Sequence, residues 1–329
     1  MVIFLVWLLT TCISVTSDQK IGDGMEAISE NRPEIRTCSS LKEAVSVACG
    51  RNVTIEKKHE VYGGDANDTY VLFLSDGRKL FLKANSIANA DFFRAEAEGI
   101  AAIKKTGTLR VPEMYAIGTD NSSSFLLMEY IERAGAVRDF WEKLGAGLAA
   151  MHKADTSSFV SEGKYGFKSD NYIGAGRQKN TQKSSWIEFF SECRLRPQLE
   201  LAAGYFDTAT VTKANRLLDH LDRFLYEPER TSLLHGDLWS GNFMSDELGQ
   251  PILIDPAVYV GCNEADIAMT ELFGGFDRRF YAAYFEAMGS VPGYEDRRDL
   301  YKLYHLTNHL NLFGSAYLSA VVRTIERYS

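Results

Sequence analysis

Proline and cysteine are scarce in this sequence, at 7 and 5 of 329 residues. With so little proline beside 45% hydrophobic and 24% charged residues, the chain is neither collagen-like nor disordered and matches a folded globular composition. Its cysteines, Cys12, Cys38, Cys49, Cys193 and Cys262, are odd in number and scattered. They form no CxxC pair, and no histidine stands at zinc-ligand spacing, so they read as buried or free thiols rather than a disulfide framework or a zinc site. Positive charge is also short. The 36 Lys and Arg face 44 Asp and Glu, a formal net charge of -8 that removes the broad field needed to attract nucleic acid. Any bound anion must therefore be held locally. The length excludes a peptide hormone or mini-protein and leaves room for two ordinary domains or one two-lobed fold.

One apolar run stands at the start, MVIFLVWLLTTCISV from Met1 to Val15, followed by small and polar residues through Ser17. It has the look of a signal or targeting peptide, although no Lys or Arg precedes it, and it is too short for a membrane span. Sequons at Asn52, Asn67 and Asn121 would be glycan acceptors in a secretory pathway. Asn67, however, lies in a turn argued below to hold phosphate, where a glycan would obstruct the ligand. Residues 1–36 are accordingly set aside as a leader or disordered extension. Residues 37–130 are expected to form an N-terminal nucleotide-binding lobe and residues 131–329 a C-terminal catalytic and acceptor-binding lobe.

From Val53 to Lys83, β-rich runs alternate with turn signals: VTIEKKHEVY, GGDAND, TYVLFL, SDGR and KLFLK. This pattern predicts an antiparallel meander. Between Asp91 and Lys105 the apolar residues fall at helical spacing, with Asn89 or Asp91 as N-cap and Gly107 just beyond the end. Two further apolar runs, VPEMYAIGT and FLLMEYIE, follow. After Tyr130 long amphipathic helices predominate, one through Phe140, Leu144, Leu148 and Met151 and another through Ala214, Leu217, Leu221 and Leu225. Only TSLLHGDLWSGNFM and QPILIDPAVY interrupt them, as two short strands ending in polar residues, where chemistry tends to be mounted.

Four pieces fit one chemistry. The Gly63-Gly64 turn, running on to Asn67, exposes backbone N–H groups that can cradle phosphate oxygens, though taken alone a plain β-turn explains it better. Lys83 ends an apolar strand, and Glu96 follows thirteen residues later on the predicted helix. Such an ammonium and carboxylate pair can grip nucleotide phosphates, or be two solvated charges. In His235-Gly236-Asp237-Leu238-Trp239-Ser240-Gly241-Asn242, Asp237 can accept a proton from an attacking hydroxyl, and the Asn242 amide oxygen can hold a metal ion. Finally, Ile252-Leu253-Ile254-Asp255 is a strand ending in a carboxylate suited to Mg²⁺. Taken singly, Asp237 reads equally as a turn residue and Asp255 as a helix cap. In this order the four make up the parts of a kinase.

LLHGDLWSGNF, ILIDPAVYVG, EADIAMTELFGGF, NYIGAGRQKN, WIEFFSECRLRPQLELA and NHLNLFG resemble the fructosamine/ketosamine-3-kinase family, over about residues 39–319. The resemblance implies an α+β, bilobal protein-kinase-like fold: a small antiparallel β lobe with one helix, and a larger, mainly α lobe. It implies ATP and Mg²⁺ as cofactors, with Lys83 on the α/β-phosphates, Glu96 orienting it, Asp237 as base, and Asn242 and Asp255 on the metal. Glu129, Tyr130 and Ile131 would form the hinge that bonds adenine through its backbone, with Met128 beside it. The implied activity phosphorylates the 3-hydroxyl of ketosamines on protein amines, after which the unstable phosphate eliminates and the amine is restored. That is protein deglycation, a repair reaction whose substrates are glycated proteins or small ketosamines.

Asn171, Gln178, Asn180 and Trp186 lie in segments similar to the family's acceptor region and are expected by that resemblance to line the acceptor pocket, with residue types that supply the hydrogen-bond partners and apolar face a ketose needs. Trp239 fits either that pocket or the core. Asp266 and His309 match family positions and read as structural support. Three departures stand out: Asp65 where many members have cysteine, Cys262-Asn263 where a His-Arg or His-Ser pair usually precedes Glu264, and Lys179 where proline is common. Alternative readings are a kinase of an aminoglycoside- or choline-like acceptor, or a non-catalytic nucleotide-binding protein. Use of ATP favours an address inside a cell, in the cytoplasm or in an organelle such as a plastid, while the apolar leader pulls the other way; no nucleic-acid partner and no stable membrane span are expected.

Overall fold

A computed structural model describes residues 35–61, 67–121 and 123–329. Its small lobe holds β1 (Arg36–Cys38), α1 (Leu41–Cys49), β2 (Ile55–Glu60), β3 (Asp68–Leu74), β4 (Lys79–Ser86), α2 (Ala90–Thr106), β5 (Met114–Asp120) and β6 (Ser123–Glu129). The six strands form one sheet in the order β1-β5-β6-β4-β3-β2. All neighbours are antiparallel except β1 and β5, which are parallel.

Two features of this lobe go beyond the sequence reading. β1 begins at Arg36, inside the segment set aside as leader, and the lobe carries a second helix, α1. Its nine residues were too few to show a convincing period, but its start is marked. The Ser40 hydroxyl accepts the Glu43 N–H, and the Glu43 carboxylate reaches back to the Ser39 N–H at 2.8 Å, a reciprocal cap.

Side-chain alternation along β4 fixes what each face of the sheet carries. Leu80 and Leu82 join Ala44 and Val45 of α1 in one apolar cluster, while Phe81 packs with Phe93 and Ala97 of α2 in another. Lys83, two residues beyond Phe81, falls on the α2 side and meets Glu96. α2 stops at Gly107, whose φ of +67° supplies the left-handed cap that side chains disfavour.

The large lobe contains α3 (Phe140–Lys153), β7 (Asn171–Ile173), β8 (Gly176–Gln178), α4 (Trp186–Phe190), α5 (Arg196–Leu201) and α6 (Thr208–Asp219). β9 (Ser232–Leu234), β10 (Phe243–Ser245), β11 (Pro251–Leu253) and β12 (Tyr259–Gly261) follow, then α7 (Glu264–Thr270), α8 (Arg278–Met288), α9 (Tyr294–Phe313) and α10 (Leu318–Tyr328). The face predicted from Ala214 to Leu225 is interrupted at His220, where α6 ends and a 3₁₀ turn begins, yet its leucines still reach one core. Arg110 ties the lobes together: it bonds Glu129 at the end of β6 and Asp246 in the β10–β11 turn, both at 2.6 Å. No helix among the described residues is long and apolar enough to cross a membrane.

Trp186 belongs to this core and not to a pocket. It is 0% exposed, with Phe190 5.2 Å away between ring centroids and Tyr301 accepting its indole N–H. An aromatic face suits a sugar, but it suits a core equally well, and sequence alone does not separate the two uses. Trp186→Ala is expected to cost about 3–5 kcal/mol of stability and to leave the acceptor KM of the remaining folded enzyme unchanged. Denaturant unfolding alongside steady-state kinetics checks this; a selective rise in acceptor KM would return Trp186 to the pocket.

Candidate active site

The centre of the site is the turn after β9. Gly236 takes φ +81°, and a Cβ there would stand 2.0 Å from the Ala257 carbonyl oxygen, so only glycine fits. Asp266, buried on α7, accepts the His235 N–H at 2.7 Å and the Gly236 N–H at 2.9 Å. His152, 3.1 Å from the same carboxylate, is held in turn by the Tyr284 hydroxyl. The His235 ring bonds the Ile254 carbonyl at 3.0 Å, fastening this turn to the end of β11. Asp255 follows there in a left-handed conformation at φ +52°, a strained backbone that aims its carboxylate into the cleft.

Lys83 is buried and bonds the Glu96 carboxylate at 2.7 Å, while also donating to Asp255. The Asn242 amide donates both to the Asp237 carbonyl, at 2.7 Å, and to its carboxylate, at 3.0 Å. Asn67, beside the glycine turn, accepts from Asn85 at 2.8 Å. Gly63 and Gly64 themselves lie outside the described residues.

Burial lowers the proton affinity of the Lys83 ammonium, but Asp255 and Glu96 outweigh it, so Lys83 is held above its ordinary value and stays charged. Burial pushes Glu96 up to about 7 against the pull of Lys83. Asp255 is also raised by burial, but the Lys83 ammonium prevails and holds it below the usual carboxylate value. Asp237 is pushed up to about 7, chiefly by burial, with Asn242 opposing and Asp255 adding repulsion. A carboxylate poised near neutrality suits a proton acceptor.

Lys83, Glu96, Asp237, Asn242, Asp255 and Asn67 line one cavity of about 720 Å³. The same cavity carries an aromatic chain. Trp239 meets Phe273 edge-on, Phe273 lies 4.8 Å from the His309 ring, and His309 continues to Phe313 and Tyr317. Trp239 is thus a cavity residue rather than core. His309, read from sequence as inner support, forms part of the wall although its Nδ1 also bonds the His305 carbonyl. Phe273, Phe313 and Tyr317 escaped sequence reasoning. The i, i+4 step from His309 to Phe313 on α9 was its available trace.

Of the four expected acceptor residues, only Asn171 lines the cavity. Gln178 and Asn180 are corrected alongside Trp186: they are 1% and 2% exposed and spend their amides on the protein behind Asn171. The expected hinge lies apart from this cavity. Met128 is buried in the sheet, the Glu129 N–H already donates to the Glu113 carbonyl, and none of Met128, Glu129, Tyr130 or Ile131 lines this cavity.

Three large-lobe histidines bear on stability. Burial depresses His305 to about 3 and holds His235 and His309 below their ordinary value. At these three sites the unfolded chain therefore binds more protons than the folded one once the pH falls below about 6.5, a loss of up to about 1.4 kcal/mol per pH unit for each histidine. Asp237 and Glu96, raised to about 7, act in the opposite sense, taking up protons in the folded chain over the same window and offsetting part of that loss. Thermal melts of wild type and His305→Gln between pH 7.5 and 5.0 isolate the histidine contribution: wild type is expected to lose Tm relative to the variant as the pH falls, and parallel profiles would contradict it.

Residues 37–329 match the family model described as fructosamine kinase. A rice (Oryza sativa subsp. japonica) protein named protein-ribulosamine 3-kinase, chloroplastic, is 43% identical over 272 residues, which cover 81% of this chain and 77% of that protein. A Thermobifida fusca crystal structure carrying the name fructosamine-3-kinase superposes with a TM-score of 0.74 at 32% identity, covering 87% of this chain and 97% of its own. One of the same name from Haemophilus somnus gives a TM-score of 0.78 at 28% identity, covering 88% and 96%. The architecture is the bilobal α+β one of protein-kinase-like phosphotransferases.

Proposed function

The chain belongs to the fructosamine kinase family, and from that premise we propose that it transfers the γ-phosphoryl group of ATP to the 3-hydroxyl of ribulosamines or fructosamines carried on protein amines. The observation that carries this reading is the meeting of Asp237, near neutrality, with the Lys83–Glu96 pair and Asp255 in one cavity that also has an aromatic wall. Lys83 binds the α- and β-phosphates while Glu96 orients it. Asp237 aligns the sugar hydroxyl and takes its proton as the oxygen attacks phosphorus; the bond to the β-phosphate oxygen breaks and ADP leaves with that electron pair. The aromatic wall takes the apolar face of the acceptor. Tyr130 and Ile131 remain the backbone candidates for adenine, and the lobe division near residue 130 goes with them.

A magnesium site fits these residues. Asn242 directs its N–H groups at Asp237, which leaves its amide oxygen for a cation, and Asp255 opens to the cleft. Two hard oxygen donors suit Mg²⁺, which takes its other ligands from phosphates and water. When bound, Mg²⁺ neutralises charge on the transferring phosphate oxygens.

A polycationic acceptor would need a cluster of carboxylates. Among the described residues the cavity offers only Glu96, Asp237 and Asp255 as carboxylates, which favours a neutral sugar adduct. The need for ATP and the chloroplastic name of the rice relative favour an intracellular address such as a plastid. The test is incubation with Mg·ATP and a panel of ribulosamine, fructosamine, aminoglycoside and choline-type acceptors. Phosphate on the third carbon of a ketosamine is expected. Transfer to another acceptor with no ketosamine product would overturn the reading.

A further inference from the structure

Behind the cavity wall lies a guanidinium with no carboxylate partner. Arg194, in the π-helical turn Ser191–Leu195, is 0% exposed and forms no ion pair among the described residues. Its charge rests on ring faces, 3.8 Å from the Tyr259 centroid and 4.6 Å from that of Phe189. It donates to the Lys179 and Cys193 carbonyls and, at 2.7 Å, to the Asn180 side-chain oxygen.

Guanidinium only donates, so the end of Asn180 that faces it has to be oxygen. The Asn180 nitrogen must then point onward, to the Ser169 carbonyl and, at 2.8 Å, to the Asn171 side-chain oxygen. Gln178 is fixed by the Ala257 carbonyl, which can only accept and so requires the nitrogen end. Its oxygen accepts from the Tyr304 hydroxyl, and its nitrogen donates to the Ala257 carbonyl and to the same Asn171 oxygen at 2.7 Å. Both lone pairs of that oxygen are thereby filled. The Asn171 nitrogen spends one proton on the Val258 carbonyl and makes no further hydrogen bond among the described residues. Asn171 is also the member of this network that reaches the cavity shared with Asp237 and Trp239.

We infer that Asn171 presents one amide N–H to an oxygen of the acceptor, and that Arg194, acting through Asn180, is a positioning residue that joins Gln178 and the Val258 carbonyl in keeping the donor end of that amide in place. The inference rests on the ketosamine reading above and adds a specificity rule to it. A fixed N–H welcomes the carbonyl or hydroxyl oxygens flanking the third carbon of a ketose and repels an ammonium in the same place.

The test is Asn180→Asp in the full chain, a substitution that preserves size and the Arg194 contact but replaces the donor facing Asn171 with an oxygen. Acceptor KM is expected to rise about tenfold or more, the loss of one neutral hydrogen bond, while kcat and the KM for ATP stay within about twofold. Unchanged acceptor KM would overturn the inference, since a purely structural role lowers the amount of active enzyme without moving KM. A second measurement needs no altered network: the Asn171 side-chain amide resonance of the wild-type protein, identified with Asn171→Asp, should shift on adding acceptor to the ADP complex. A resonance unmoved by saturating acceptor would also overturn it. If wild type phosphorylates a different acceptor and no ketosamine, the ketosamine reading fails separately, and the same KM split is then measured with that acceptor.

Discussion

Asp237→Asn is expected to lower kcat by roughly 10²- to 10⁴-fold, the range for removing a positioned proton acceptor, while Mg·ATP affinity stays within a factor of about two. The amide can turn its oxygen toward Asn242, preserving the hydrogen bond seen at 3.0 Å, so the geometry of the turn survives. What is lost is the ability to receive the hydroxyl proton. The substitution should also leave Tm unchanged or raise it above pH 7, because burial already penalises the ionised Asp237 in the folded protein. Single-turnover kinetics with nucleotide titration separates these effects. Near-wild-type turnover by this variant would remove Asp237 from its role, and a large fall in Tm would point to a structural one.

Asp255→Ala should act on the opposite end of the reaction. Lys83 retains Glu96 at 2.7 Å, so its buried ammonium keeps a carboxylate partner when Asp255 is removed. Removing this carboxylate should weaken nucleotide binding in the presence of Mg²⁺ by roughly 10- to 100-fold, the scale of a charged contact. Binding measured in a chelator should change far less. A variant whose Mg²⁺ dependence matched that of wild type would show that the ion is held elsewhere.

The machinery for phosphate was legible because each part has a local cause. Alternation along β4 and helical spacing in α2 bring Lys83 to Glu96. A strand ending in His-Gly-Asp and another ending in Ile-Asp present their carboxylates at adjacent edges, and the glycine between His235 and Asp237 is required by the nearness of the Ala257 carbonyl. The acceptor side was far less legible. Its aromatic wall is drawn from the turn after Asp237, the segment after α7 and the end of α9, and no spacing in the sequence announces that these meet. Trp186, Gln178 and Asn180 were assigned to the pocket by residue type. In the fold, a tryptophan next to Phe190 and Tyr301 satisfies the core, and two amides next to Arg194 satisfy a buried cation. Helix α1 was missed for a different reason: nine residues carry too little periodic signal, and only the Ser40–Glu43 cap marks the start.

The most direct measurement is a crystal structure of the protein with a non-hydrolysable ATP analogue and Mn²⁺ in place of Mg²⁺, read by anomalous scattering. The manganese peak is expected between the Asn242 amide oxygen and the Asp255 carboxylate, with Lys83 on the α/β-phosphates and the γ-phosphate facing Asp237. Nucleotide bound away from this cleft, or manganese bound by neither Asn242 nor Asp255, would contradict the convergence of these side chains on one triphosphate.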